Sequence, residues 1–393
     1  MRHSNRCPQP SSNNEGHTLR ANLAGSCFPP APSAPYTPGM SSKIRVAVLG
    51  TGSLGKEHAR LYAELAAAGQ VEFVGVYDVV GEAARKVAEK WGVPVFGSIE
   101  AAAAASDALS VVTPTTTHHE LARQLLLLGK HLLVEKPMTQ NGAEAAELIR
   151  LARQHGCLLQ VGHIERFNPV FNYLQQAVTE PRFIEAHRLS PYPKRSTDIG
   201  VVLDLMIHDL DVVLAFVNSP LVTIDAVGIP VLSRSEDIAN ARLRFANGCV
   251  ANLTASRVSV ERVRKIRVFS GGATPSYVSL DYRAQEGFIY RIARDGESES
   301  SLLKKLLAGK DSTVVSEFAG QRIVREPVPI AKEEPLKLEL ESFIHCVQQQ
   351  RAPVVSGEAG KRALDVACEI TRQIEHGGSG QFPSAQVTAP AAP

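Results

Sequence analysis

Asp204 and His208 stand four residues apart in the apolar run Asp204-Leu205-Met206-Ile207-His208, and Lys136 sits in Glu135-Lys136-Pro137 directly after a strand-like segment. On a helix, positions i and i+4 share a face, so the carboxylate and the imidazole can meet. An imidazole titrates near neutrality and suits a general base, with a carboxylate acting near the same substrate. An ammonium at the end of a strand can hold a hydroxyl and stabilise charge developing on its oxygen. Together the three groups suit removal of a proton from an alcohol. The same spacing also fits a satisfied buried pair, or two ligands of a zinc ion. No cysteine or second histidine joins the pair in this reading, so no metal is expected. Asp209 and Asp211 point elsewhere around the helix and are expected to be structural.

A second cluster, Gly162-His163-Ile164-Glu165-Arg166-Phe167-Asn168-Pro169, packs charged, aromatic and amide groups into one segment. It lies between two differently patterned halves of the chain, where a ligand cleft commonly forms. Arg166 and Asn168 are expected to face a substrate, although a capped linker turn has the same composition. Lys194 and Arg195, ahead of the Asp/His segment, are candidate partners for an anionic substrate group, with solvated loop charges as the alternative.

A hydride acceptor is indicated earlier in the chain. The apolar run Arg45–Leu49 opens onto Gly50-Thr51-Gly52-Ser53-Leu54-Gly55, the spacing G-x-G-x-x-G, and an amphipathic helical stretch follows. A second apolar run ends in Asp78, 23 residues past Gly55. That is where a dinucleotide fold places the acid that accepts hydrogen bonds from the adenosine ribose. Gly50 permits the tight turn, Gly52 lets backbone approach the pyrophosphate, and Gly55 lets helix pack on strand. The helix N-terminus offers free N–H groups to the phosphates. Asp78 would repel a 2′-phosphate, so NAD is expected in preference to NADP.

The elements that position these groups follow from periodicity. From Ile44 to Gln160, strands at 44–49, 71–77, 108–113, 131–135 and 157–161 alternate with helices at 55–68, 81–91, 118–128 and 141–155. A short strand near 93–96 and an alanine-rich helix complete the series. This is the pattern of a doubly wound parallel sheet, which binds ligands at the carboxyl ends of its strands. Thr113, Pro114, His118 and Glu135, in loops at that edge, are therefore assigned with Lys136 to the cofactor. After Pro169, alternating patterns at 182–190, 222–230, 238–246, 249–257, 264–270 and 276–282 read as a largely antiparallel sheet. One helix near 200–216 interrupts it, and helices near 335–350 and 357–376 close the chain. Asn247-Gly248 signals a two-residue hairpin turn. Arg262, Arg264, Lys265 and Arg267 read as a solvated strand face.

The 393 residues exceed one ordinary core and fit two domains. Residues 1–39, rich in proline and serine, are expected to be a disordered extension, with Met40 a candidate start. Residues 40–163 form the NAD-binding domain, 164–376 a substrate-binding and oligomerisation domain, and 377–393 a flexible tail. A formal charge of +2 gives no electrostatic case for nucleic acid or membrane, and no apolar run has the length of a spanning helix. Six cysteines without regular spacing fit reduced thiols in the cytoplasm.

Taken together, Gly50–Gly55, Glu135-Lys136-Pro137 and Asp204-x-x-x-His208 resemble the Gfo/Idh/MocA family of sugar and cyclitol oxidoreductases, over residues 43–376. The resemblance implies that Lys136, Asp204 and His208 are the catalytic group. It also implies a Rossmann domain followed by an α/β domain with an open sheet. That sheet commonly buries its free face on another subunit, so a homodimer or homotetramer is expected. Within the family, Gly162–Pro169 and the later Tyr192–Arg195 look most like members that oxidise the C3 hydroxyl of UDP-N-acetylglucosamine with NAD. Those members act ahead of a transaminase that makes a 3-amino sugar of the lipid A type. A dehydrogenase of a free sugar or inositol is the alternative, as is a catalytically silent NAD-binding scaffold. An intact Lys, Asp and His argue against silence.

Overall fold

Apolar runs at Ile44–Leu49 (β1), Val71–Tyr77 (β2), Ala108–Val111 (β3), His131–Glu135 (β4) and Leu159–Gly162 (β5) pair as one parallel sheet in the order β2-β1-β3-β4-β5. The computed structural model describes residues 43–192, 199–272, 275–293, 313–318, 321–377 and 380–381, with 313–318, 321 and 380–381 as backbone alone. Between the strands run α1 (Gly55–Ala67), α2 (Gly81–Trp91), α3 (Ile99–Ala105), α4 (Thr115–Leu127) and α5 (Gly142–Gln154). Helix starts carry their signals: Ser98 accepts from Ala101 N–H, and Asn141 accepts from Ala143 and Glu144 N–H. Val95 adds a parallel bridge outside β2 at Val76. The strand order therefore reverses between β1 and β3, which opens a crevice at their carboxyl ends.

The chain then makes a short 3₁₀ turn (Ile164–Phe167), α6 (Pro169–Ala177) and β6 (Pro181–Leu189). A π-helical turn, Val202–Met206, runs directly into α7 (Ile207–Val217). Strands β7 (Leu221–Ile229), β8 (Ile238–Phe245), β9 (Val250–Ser256), β10 (Val263–Ser270), β11 (Ser276–Asp281), β12 (Glu286–Ile292), β13 (Thr313–Phe318) and β14 (Gln321–Pro327) follow. Then come α8 (Pro335–Gln349), α9 (Gly357–His376) and β15 (Gly380–Gln381). The second sheet has ten strands in the order β13-β14-β12-β11-β10-β6-β9-β8-β7-β15. Its pairs are antiparallel except β6 with β9. Two residues of the expected tail thus extend the sheet edge, and the expected extension at 1–39 lies outside the described residues.

Three features differ from the sequence expectation. Strands β12 to β14 were not anticipated. Most of β12 is half-buried along its length, so its sequence lacks the period-two contrast that marks a half-buried strand. The β8–β9 connection is a three-residue loop, not a two-residue turn. Phe245 N–H bonds to Cys249 O and Gly248 N–H to Phe245 O, both at 2.9 Å, with Gly248 at φ 83°. The third concerns α8, which packs Leu336, Leu340, Phe343 and Val347 into the core under Val46 and Val48 of the first sheet. The second core lies between one face of the ten-stranded sheet and helices α7 and α9, with Leu210, Val213, Ala363 and Ile370 at its centre.

Candidate active site

The three fingerprint glycines each meet a different constraint. Gly50 has φ 92°, and a Cβ there would overlap the Val112 carbonyl across the switch point. A Cβ at Gly55 would overlap the Gly50 carbonyl. A Cβ at Gly52 would meet nothing within 4 Å, so this backbone stands open toward the crevice. Gly52, Ser53 and Leu54 are exposed, and no side chain caps the start of α1. Asp78 closes the far side. Its Oδ2 accepts from Thr51 N–H (2.6 Å) and Thr51 Oγ1 (2.9 Å), and its Oδ1 from Val80 N–H (2.8 Å). Burial works against its charge, but these bonds hold its carboxyl below the usual range. An uncapped helix start, a bare glycine and an ionised acid fit the pyrophosphate and ribose of NAD. NAD, when bound, accepts the hydride.

The loops after β3 and β4 complete this edge. His118, expected on the cofactor, is buried between two carbonyls, with Nδ1 2.9 Å from Pro137 O and Nε2 2.8 Å from Thr113 O. A neutral ring donates to only one of them, and burial lowers its pKa. Its place links the Thr113-Pro114 loop to the Glu135-Lys136-Pro137 loop. Glu135 also points inward, with Oε1 3.1 Å from His58 Nε2 and Oε2 accepting from Lys136 N–H at 3.2 Å.

Lys136 reaches across to the second half of the chain. Its Nζ donates to the Asp204 backbone oxygen at 2.6 Å and lies 3.5 Å from Asp204 Oδ1. No side-chain hydrogen bond joins Asp204 to His208 among the described residues. The π-turn, in which Ile207 N–H reaches back to Val202 O, changes the angular advance between them, and Lys136 is what Asp204 meets. His208 is half-buried with Nδ1 wholly enclosed. Burial, then the charges of Lys136 and Arg188, push its pKa well below the ordinary histidine value. It is therefore a neutral imidazole able to accept a proton. His163 stands edge-on to it at 6.4 Å between ring centroids, so a second histidine does join the cluster. Among the described residues no group of three His, Cys, Asp or Glu is arranged to hold a metal.

Beneath the site lies a buried ionic network. Arg188 donates to Asp209 through Nε (2.8 Å) and NH2 (2.9 Å), and to Glu165 through NH1 (3.0 Å). Asp209 is thus structural, as expected. Asp211 lies 3.5 Å from Arg166 NH1, so this arginine is paired internally and also covers the Phe171 ring. Asn168, expected against substrate, is a buried helix cap. Its Oδ1 accepts from Val170 N–H (3.1 Å), while Nδ2 donates to Glu165 (3.1 Å) and Tyr282 O (3.0 Å). Lys194 and Arg195 lie outside the described residues. Among the described residues Arg264 is a cation about half exposed here, 3.9 Å from Glu165 and close enough to His208 to depress its pKa. The alternating charges of β10 imply a solvated face from sequence alone. Register with Arg188 on β6 brings this one over the site.

Comparison with known proteins agrees with this geometry. A family model described as an oxidoreductase family with an NAD-binding Rossmann fold matches residues 44–163, and the GFO/IDH/MocA C-terminal domain matches residues 174–272. The chain is 36% identical over 333 residues to UDP-N-acetylglucosamine 3-dehydrogenase of Acidithiobacillus ferrooxidans, covering 84% of this chain and 97% of that protein. A crystal structure of that enzyme superposes with a TM-score of 0.75, at 36% identity over 85% of this chain and 98% of the other. Inositol 2-dehydrogenase of Rhizobium meliloti is 26% identical over 356 residues, covering 84% of this chain and 97% of that protein. The chain belongs to the Gfo/Idh/MocA family and is an NAD-dependent oxidoreductase acting on a CH–OH group.

Proposed function

We propose that this enzyme oxidises the C3 hydroxyl of a UDP-sugar, UDP-N-acetylglucosamine, to the 3-keto form with NAD. One observation carries the reading. The Lys136 ammonium meets Asp204 at the carboxyl edge of the parallel sheet, and a neutral His208 follows one helical turn later. His208 takes the hydroxyl proton as hydride leaves the same carbon. Lys136 hydrogen-bonds that oxygen and stabilises its developing charge. Asp204 orients Lys136 and the sugar.

The near full-length similarity to the Acidithiobacillus enzyme supports the nucleotide-sugar substrate. Arg264 supports it too, as a half-exposed cation beside the base that can meet a diphosphate oxygen. The 3-keto product suits a transaminase that makes a 3-amino sugar of the lipid A type. The setting we propose is cytoplasmic, and among the described residues no helix is long and apolar enough to cross a membrane. Similarity to the inositol dehydrogenase supports a second reading, oxidation of a free cyclitol. NADH formation with UDP-N-acetylglucosamine, free N-acetylglucosamine and myo-inositol separates the two. The UDP-sugar is expected to be preferred, with an aminotransferase added to draw off the ketone. Faster turnover of either uncharged compound would overturn the substrate assignment and leave the family activity standing.

A further inference from the structure

Both ring nitrogens of His163 are buried with no protein hydrogen-bond partner among the described residues, and the residue is 1% exposed. His208 Nδ1 is likewise enclosed and unpartnered, and so is Oδ2 of Asp211, whose residue is 2% exposed. These residues are neighbours. The two rings meet edge to face at 89°, and Asp211 lies close enough to His163 to act on its charge. An enclosed polar atom without a partner is costly, and buried water is the usual remedy where several such atoms converge. The cluster is polar, and its unpartnered ring nitrogens and carboxylate oxygen are the kinds of group that a buried water bonds.

The reaction gives this cluster a task. Oxidation sends a hydride to NAD and the hydroxyl proton to His208, and that proton must leave before the next turnover. An imidazole that gains a proton at one nitrogen can release one from the other. We propose that a buried water held by His163 and Asp211 takes the proton from His208 Nδ1 and passes it to His163, making His163 the second station of a proton relay. Hydride and proton are then both accounted for, as NADH and as a proton moving away from the ketone. Charges around His163 are mixed. Burial holds its pKa below the ordinary histidine value, while Asp211 and Glu135 favour its protonation, Lys136 and Arg166 oppose it, and His208 stands edge-on. Such a balance suits a group that charges only transiently.

The inference rests on His208 being the base, and the tests keep the two apart. With UDP-N-acetylglucosamine and NAD, His163→Phe is expected to lower kcat roughly tenfold to a hundredfold, with KM for NAD unchanged and a larger solvent deuterium effect on kcat. His163→Gln keeps hydrogen-bonding capacity but cannot titrate, so it should show the same loss and also serves if the Phe variant folds poorly. A merely structural histidine would be restored by Gln and would leave the isotope effect unmoved, which would overturn the relay. Loss of activity in His208→Ala with a normal His163→Phe sinks the relay alone. Full activity in His208→Ala sinks the base assignment with it. A crystal structure at high resolution gives a readout free of substrate. Water bonded to His163 and Asp211 is expected there, and a dry cluster would overturn the proposal.

Discussion

The Glu236 carboxylate accepts a hydrogen bond from Val202 N–H at 3.2 Å, at the first turn of the helix that carries Asp204 and His208. The Glu236 backbone oxygen accepts from Val201 at 3.0 Å, and a Cβ at Gly200 would overlap the carboxylate. Arg257 grips the same segment from the other side, with NH1 on Ile199 O at 2.6 Å and Nε on Asp237 at 2.7 Å. The helix that carries Asp204 and His208 is therefore clamped at its entry by groups outside the proposed trio of Lys136, Asp204 and His208.

Removing the clamp should cost both stability and turnover. Glu236→Ala leaves Val202 N–H without its acceptor, worth about 1–3 kcal/mol. Arg257→Met leaves Asp237 charged and buried, which costs more, about 3–5 kcal/mol. Thermal unfolding should rank Arg257→Met below Glu236→Ala and both below the parent. Turnover should fall in both while NAD affinity holds, because the NAD cradle is built on the other sheet. An unchanged melting temperature in Arg257→Met would contradict this account.

Cofactor choice depends on Asp78 and on the exposed Val79 and Val80 beside it. NAD should bind in clear preference to NADP. Asp78→Ser combined with Val79→Arg should move the preference toward NADP. Because Asp78 also fastens Thr51, affinity for NAD should fall in the double variant even before repulsion is considered. Equal binding of the two cofactors by the parent enzyme, read by fluorescence titration, would refute the assignment.

Lys136→Ala and His208→Ala should each lower kcat by about 10²–10⁴, with NAD binding little changed. The pH dependence carries a sign. Burial and Lys136 depress the His208 pKa, so its neutral, proton-accepting form persists below the ordinary value of about 6.5. The acid limb of kcat/KM should therefore fall below that value. Lys136→Met removes a positive neighbour, so the limb of its residual activity should move upward. A limb that stays put would separate the lysine from the titration of the base.

How much of the fold and the site is legible in the sequence depends on the range of each interaction. The parallel sheet was legible because its strands are continuous apolar runs broken by turns, and Gly50, Gly52 and Gly55 are local signals. Asp209 on the structural side of the helix also followed from local geometry. The rest arises between elements distant in the chain. Nothing near Arg166 announces that Asp211 neutralises it, and nothing near His163 shows that α7 sets His208 against its ring. Strand alternation placed Arg264 on an outward face but could not say that this face overhangs the site. Asn168 shows the limit from the other side: a polar residue ahead of Pro169 was a cap signal, and capping is what it does.

An aromatic row on the ten-stranded sheet predicts assembly. Phe183, Phe269, Tyr277 and Tyr290 form a row of ring contacts across β6, β10, β11 and β12, with centroids 5.7, 4.6 and 5.0 Å apart. Phe269 is 37% exposed, and Val227 on β7 is 60% exposed. Aromatic area of this kind favours burial against a partner. The full chain should be a homodimer or homotetramer by light scattering at micromolar concentration, and Phe269→Asp should weaken it. A monomeric parent would contradict the reading.

Glu339 supplies a stability signature that needs no substrate. It is fully buried on α8, and neither carboxylate oxygen has a protein partner among the described residues. Burial, reinforced by the charges of Glu135 and Asp211, pushes its pKa well above the usual range, so it folds as the neutral acid. In the unfolded chain it ionises near the ordinary value of about 4.3. Between those two values the folded state binds the extra proton, so stability falls as pH rises. The contribution is complete in acid and is lost as pH climbs through the folded pKa. Glu339→Gln stays neutral throughout and lacks this slope. Its melting temperature relative to the parent should therefore rise as pH climbs above the unfolded value and through the raised folded one. Parallel melting curves across that span would show that Glu339 is ionised in the folded protein and refute the assignment.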